Sequence, residues 1–228
     1  MSQSKKSSPR SSQSLKSVLP FFFIVMSLNA CTPEGLMRTW STTEEYERRF
    51  QNIMVMGLVN SVNLRNDLEN DIVYAAQKAG IKSKNAMSMF PPELGKPFED
   101  IERVKTRLRD KGFDGILTIA LINVSAERYI GPDVAYEPLV YYDRFRTYYF
   151  RTYELVYKPG YFSQYSKYFI ETNFYELGGG KLVWSGRSRV FEPNELEPFS
   201  AIYARQLFQE LGVCRTFNNS ESKKMGFS

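Results

Sequence analysis

The chain has 228 residues, with 30 Lys+Arg against 25 Asp+Glu, a net charge of +5, two cysteines and no histidine. Without histidine, Ser-His-Asp and Cys-His nucleophilic systems and every metal motif built on imidazole are excluded. The basic excess by itself points toward nucleic acid, yet four of the bases, Lys5, Lys6, Arg10 and Lys16, fall in the first 31 residues, which hold no acid; the remainder is 26 against 25, or +1.

Those four bases form a Ser-rich, positively charged start. Behind it, Val18-Leu19-Pro20-Phe21-Phe22-Phe23-Ile24-Val25-Met26 is an apolar run of secretory length. It is too short for a transmembrane helix, which needs about 20 apolar residues. The run ends at Leu28-Asn29-Ala30-Cys31, which resembles the lipobox of bacterial lipoproteins: a leucine, a variable position, a small residue and a cysteine. The resemblance implies cleavage before Cys31 and acylation of its sulfur, with residues 1–30 removed as a signal peptide. Two or more acyl chains hold a protein stably at a membrane. Thr32, rather than an aspartate, follows the cysteine, which favours the outer membrane. The alternatives are an ordinary signal peptide cut nearby and a cysteine present by chance. With Cys31 lipidated, Cys214 is a lone thiol, and Val213 and Phe217 beside it suit buried packing.

Residues 31–49 are expected as the lipidated cysteine, a tether and a lead-in. Thr32 to Thr43 carries Pro33, Gly35 and no sustained period. Phe50–Leu58 is an apolar run suited to a strand covered on both faces. Leu64, Leu68 and Ile72, extended by Ala75, Ala76 and Ala79, mark an amphipathic helix stopped at Gly80. Ile81–Met87, interrupted by Lys82, Ser83, Lys84 and Asn85, reads as an edge strand. Phe90 to Pro97 is a proline-rich loop. Phe98, Ile101, Val104 and Leu108 mark a second helix ending at Gly112, and Gly115–Val124 reads as the central strand.

Tyr165–Leu177 and Lys181–Phe191 form a hairpin around Gly178-Gly179-Gly180. That turn is no phosphate-binding loop: Leu182 follows Lys181 where Ser or Thr is required. Phe199, Ile202, Tyr203, Leu207 and Leu211 line a closing helix, and residues 214–228 are a polar tail. The expected fold is α/β, a mixed sheet with helices packed on it in the order β-α-β-α-β-β-β-α, as one domain over residues 50–213.

This order is similar to the small α/β domain of penicillin-binding-protein activator lipoproteins, of the curli secretion channel's periplasmic part, and of the N-terminal part of the Tol-Pal β-propeller protein. The residues carrying the resemblance are Ile53 to Leu58, Gly112 to Leu117, Phe169 to Tyr175 and Leu182 to Gly186. It implies scaffolding or activation and supplies no catalytic residue.

What departs from it is an insert after the third strand. Tyr129–Tyr168 holds 11 of the 15 tyrosines, and residues 141–168 carry a net +3. Tyrosine with arginine is the composition of interface hot spots, and aromatic rings with arginine also suit sugar or single-stranded nucleic acid. A long β-hairpin or loop whose rings pack on the sheet is the third possibility. The partner-binding candidates are Tyr141, Tyr142, Arg144, Arg146, Tyr148, Tyr149, Arg151 and Tyr153. Read as a strand, residues 145–154 put charge on both faces, against a membrane pore. Asp67 and Asp71, with Arg65, Glu69 and Lys78, read as a wet helix face, as do Asp100, Glu102, Arg103, Lys105, Arg107, Arg109, Asp110 and Lys111.

The function expected from the sequence is a lipid-anchored, non-catalytic accessory or assembly factor of the cell envelope, acting by protein binding. It calls for no metal, no cofactor and no nucleic acid. The alternative is an envelope glycan binder or a carboxylate-based hydrolase.

Overall fold

The structure, a computed structural model, describes residues 36–42, 50–90, 97–124, 142–157 and 167–213. Residues 1–35 lie outside the described residues, and all of the described fold falls within Thr32–Ser228. That fold is one six-stranded mixed sheet with four helices packed on it. In chain order the elements are β1 (Leu36–Ser41), β2 (Asn52–Leu58), α1 (Val62–Lys78), β3 (Lys82–Asn85), α2 (Ile101–Asp110), β4 (Gly115–Asn123), α3 (Phe145–Val156), β5 (Tyr168–Glu176), β6 (Leu182–Ser188) and α4 (Leu196–Val213). The strands lie in the order β1-β6-β5-β4-β2-β3. β2 runs parallel to both β3 and β4, whereas β4, β5, β6 and β1 pair antiparallel in succession.

Period-two alternation explains why β2 and β4 read as unbroken apolar runs. Ile53, Val55, Leu117, Ile119 and Leu121 point to one face, where they meet Leu68, Ile72 and Ala76 of α1 and Phe199, Tyr203, Leu207 and Leu211 of α4. Met54, Met56, Leu58, Ile116, Ala120 and Ile122 point to the other, against Ile101, Val104 and Leu108 of α2 and the rings of α3. β4 is buried along its whole length, as expected for the interior strand, and β3 forms one edge.

Local signals place the helix ends. Ser61 caps α1 by accepting from the Leu64 backbone N–H, and Asp100 caps α2 by accepting from that of Arg103 at 3.1 Å. Gly80 and Gly112 follow α1 and α2 with φ of +79° and +81°, a conformation that a Cβ disfavours.

Two expectations are corrected. Leu36–Ser41, read as part of a tether, is instead the edge strand β1, paired with β6. A register shift between Leu36 and Arg38 explains why no period shows: Leu36 packs with the α1/α4 side while Trp40, of the same parity, packs with the α2/α3 side. The second correction concerns the Tyr-rich insert, read as hairpin or loop. Phe145–Val156 is an α-helix that buries Phe145, Tyr148, Tyr149, Thr152, Tyr153 and Val156, a helical stripe. The strand-parity test applied to residues 145–154 therefore does not describe this segment.

Candidate functional site

α3 is where the sequence concentrates its candidate residues, and its start is fastened. At its start, the Phe145 N–H donates to the Gly180 carbonyl at 2.9 Å and the Arg144 guanidinium to the Gly179 carbonyl at 3.2 Å. From the turn side, the Leu182 N–H donates to the Asp143 carbonyl at 3.0 Å. The first turn of α3 is thus bound to the β5–β6 turn, which Glu176 braces by accepting from the N–H groups of Gly179 and Lys181.

The rings of α3 are core. Tyr142, Tyr148, Tyr149 and Tyr153 are all buried, Tyr148 completely. Tyr149 stacks on Phe98 with centroids 5.2 Å apart, and its hydroxyl accepts from the Phe98 N–H at 3.1 Å. Tyr142 meets Tyr148 edge-on at 5.0 Å, and Tyr153 stacks on Tyr157 at 4.2 Å. Burial raises the hydroxyl pKa of Tyr148, Tyr149 and Tyr157 above the ordinary tyrosine value, and for Tyr148 the nearby Glu171 carboxylate adds to it. They keep their protons across the physiological range.

Of the eight partner-binding candidates, the four described tyrosines therefore face the sheet. Arg144, Arg146 and Arg151 are exposed. Arg146 lies over the Phe150 ring at 5.9 Å, and Arg144 sits 3.8 Å from Asp143. Tyr141 and the lipobox residues Leu28, Asn29, Ala30 and Cys31 lie outside the described residues, as does Cys214. The outward face of the site is one of arginines with Thr147 and Glu154 between them, and the aromatic half of the composition is structural.

Beneath α3 the sheet carries a buried polar strip that sequence reasoning missed. Glu171 of β5 and Arg187 of β6 face one another across the strand pair, and their side chains meet at 2.7 Å. The Tyr142 hydroxyl donates to the same Glu171 oxygen at 2.7 Å and accepts from Arg187 at 3.1 Å. One step along, Ser185 donates to the Asn173 side-chain oxygen, and Thr118 donates to the Asn173 carbonyl at 3.0 Å. The available signal was polar residues at one parity, Glu171 and Asn173 in β5 with Ser185 and Arg187 in β6, inside strands whose remaining residues are mostly apolar.

A second buried ion pair corrects the reading of α1's charged face as wet at Arg65 and Glu69, while Asp67 and Lys78 are exposed as expected. Arg65 and Glu69 are both buried and 2.8 Å apart. Glu69 also accepts from the Gly57 N–H at 2.7 Å and the Met87 N–H at 3.1 Å, joining β2, α1 and the turn after β3. Asp71, also read as wet, hydrogen-bonds Ser200 of α4. On α2, Lys105 is likewise buried, its ammonium 3.0 Å from Glu102, while Glu102, Arg103, Arg107, Arg109, Asp110 and Lys111 are exposed as expected. Among the described residues no group of three or more Cys, Asp or Glu is placed to hold a metal, and no helix is long and apolar enough to cross a membrane.

The architecture defines an α/β protein with helices on both faces of a mixed sheet. The chain matches no protein-family model and no curated protein. Among solved structures it is similar to a PelC dodecamer from Paraburkholderia phytofirmans at 11% identity and a TM-score of 0.38, covering 74% of this chain and 95% of that one. It is similar to a variant of the same PelC dodecamer at 11% identity and a TM-score of 0.37, covering 74% and 97%.

Proposed function

We propose that this protein is a lipid-anchored component of the cell envelope, held through Cys31 and favouring the outer membrane, that acts without catalysis by binding an envelope protein through the exposed arginines of α3. The observation that carries the reading is the order in the sequence: a basic start, an apolar run of secretory length, then Leu28-Asn29-Ala30-Cys31. The interior supports the non-catalytic part. Its buried carboxylates, Glu69 and Glu171, are engaged by arginine and by backbone or tyrosine hydrogen bonds that hold elements together. Arg144, Arg146 and Arg151 supply the residue type enriched at interfaces, on a rigid helix fixed at its start.

The test is in-cell cross-linking of the tagged full-length chain beside an Arg144→Glu/Arg146→Glu/Arg151→Glu form. Deleting residues 141–168 is a poor comparison, because it removes core rings. A reproducible envelope protein captured by the wild type and lost with charge reversal supports the reading. Equal capture by both forms removes α3 from the interface.

A further inference from the structure

We infer that the domain stands on the membrane with the C-terminal ends of β2 and β4 toward the bilayer and the β5–β6 turn away from it, a statement that rests on the lipid-anchor reading above. The finding behind it is β1. Because the strand begins at Leu36, only residues 32–35 separate it from Cys31. Five Cα-to-Cα steps span at most about 18 Å even when fully extended. Half of the twelve residues read as a tether, Leu36–Ser41, are therefore strand, and few residues are left to link it to Cys31.

The start of β1 is fixed to a definite end of the domain. Leu36 is buried, its N–H donates to the Gln206 side chain of α4 at 3.0 Å, and it pairs with Ser188, the last residue of β6. The registers carry that end across the sheet. Arg187 pairs with Glu171 near the start of β5, Tyr168 pairs with Asn123 at the end of β4, and Ala120 pairs with Leu58 at the end of β2. The end that holds Leu36 thus also holds Val59, Val124, Lys167 and the segment after Ser188 that leads to Asn194. At the opposite end lie the Gly178–Lys181 turn, the first turn of α3 with Arg144, and Lys111 after α2.

The magnitudes decide between orientations. β4 covers eight steps from Gly115 to Asn123, about 26 Å at the usual rise of a strand. An inverted domain, with the β5–β6 turn against the lipid, would lift Leu36 roughly that far from the surface, beyond the 18 Å or so that the link allows. In the upright arrangement the link is not strained, and Arg144 with the turn it binds faces the envelope space where a partner approaches.

The test uses full-length acylated protein in vesicles of phosphatidylethanolamine and phosphatidylglycerol that contain a headgroup-attached quencher. Two fluorophore positions are compared in a Cys214→Ser background, Asn194→Cys at the Leu36 end and Lys111→Cys at the other, both exposed. The expected result is a clear loss of fluorescence at position 194 with little at position 111. Inserting a Gly/Ser linker of about 20 residues between positions 35 and 36, with a mean span of roughly 25 Å, should abolish the difference. Equal loss at both positions or a larger loss at 111 would overturn the orientation, and a difference that survives the linker would overturn the short link as what imposes it. Failure of the anchor reading is separable: intact-mass measurement of the same preparation would then show no acyl chains on Cys31.

Discussion

The Glu69 carboxylate on α1 accepts a hydrogen bond from the Gly57 backbone N–H at 2.7 Å, and Gly57 is where the sequence makes room for it. A Cβ at position 57 would lie 2.9 Å from Arg65 Cγ and 3.2 Å from the Glu69 oxygen. The glycine and the ion pair are thus one device joining β2 to α1. Gly57→Ala should destabilise the fold by about 1–3 kcal/mol, the usual cost of overpacking a filled interior. Urea unfolding of the two forms measures this directly, and an unchanged midpoint would remove the steric role of position 57.

Glu171 and Arg187 provide a test of buried charge. Glu171→Leu leaves a buried guanidinium and should cost about 3–5 kcal/mol, whereas Glu171→Leu combined with Arg187→Met should recover most of that loss. The cycle is closed by Arg187→Met alone. Strict additivity of the two single changes would mean that the residues do not interact, contrary to their 2.7 Å approach.

Gly115 lies against the Phe174 ring, so that a methyl group at position 115 would run into Phe174 Cζ. Gly115→Ala should lower stability by about 1–3 kcal/mol. Adding Phe174→Leu should restore part of it, because the ring edge is the obstruction. No rescue would contradict the ring as the obstruction, since the Tyr175 carbonyl at 3.4 Å is in ordinary contact.

The acid limb of stability should show two opposite contributions. Hydrogen bonding from the Glu192 N–H, and then from Arg189, holds the Glu195 carboxyl below its ordinary 4.5; its stabilisation is present above that value and is lost as pH falls through the lower, folded-state pKa. Burial outweighs the backbone hydrogen bonds from Gln51 and Asn52 at Asp114, raising its pKa above 3.8; its contribution is full below 3.8 and is lost as pH rises through the raised value. Glu195→Gln should therefore flatten the fall in stability on acidification, and Asp114→Asn should steepen it. Chemical denaturation between pH 3 and 6 reads both slopes, and the opposite signs would contradict the assignments.

Much of the fold was legible because periodicity and caps agreed. Leu64, Leu68 and Ile72 with Gly80 gave α1, the apolar runs gave β2 and β4, and the three glycines at 178–180 gave the hairpin. β1 was hidden by its register shift, since a bulge breaks the parity that marks a strand. In α3 the stripe of Phe145, Tyr148, Tyr149, Thr152, Tyr153 and Val156 was present in the sequence. Tyrosine and phenylalanine favour strands by propensity, and that weight obscured the helical spacing. The candidate site divided along the same line: its arginines are exposed, while its tyrosines fill the space between helix and sheet. Arg65 and Glu69 looked like a surface pair because i, i+4 spacing is the same for a wet pair and a buried one. What distinguishes them is Gly57, distant in sequence and adjacent in space.

The central claim is the lipid anchor, and the most direct measurement is metabolic labelling with an alkyne fatty acid, followed by membrane fractionation of full-length wild type and Cys31→Ser. The account predicts acyl label on the wild type together with its recovery in the envelope membrane fraction. It predicts loss of both in the serine form. A wild type without label, or a Cys31→Ser protein that stays membrane-bound to the same extent, would contradict it.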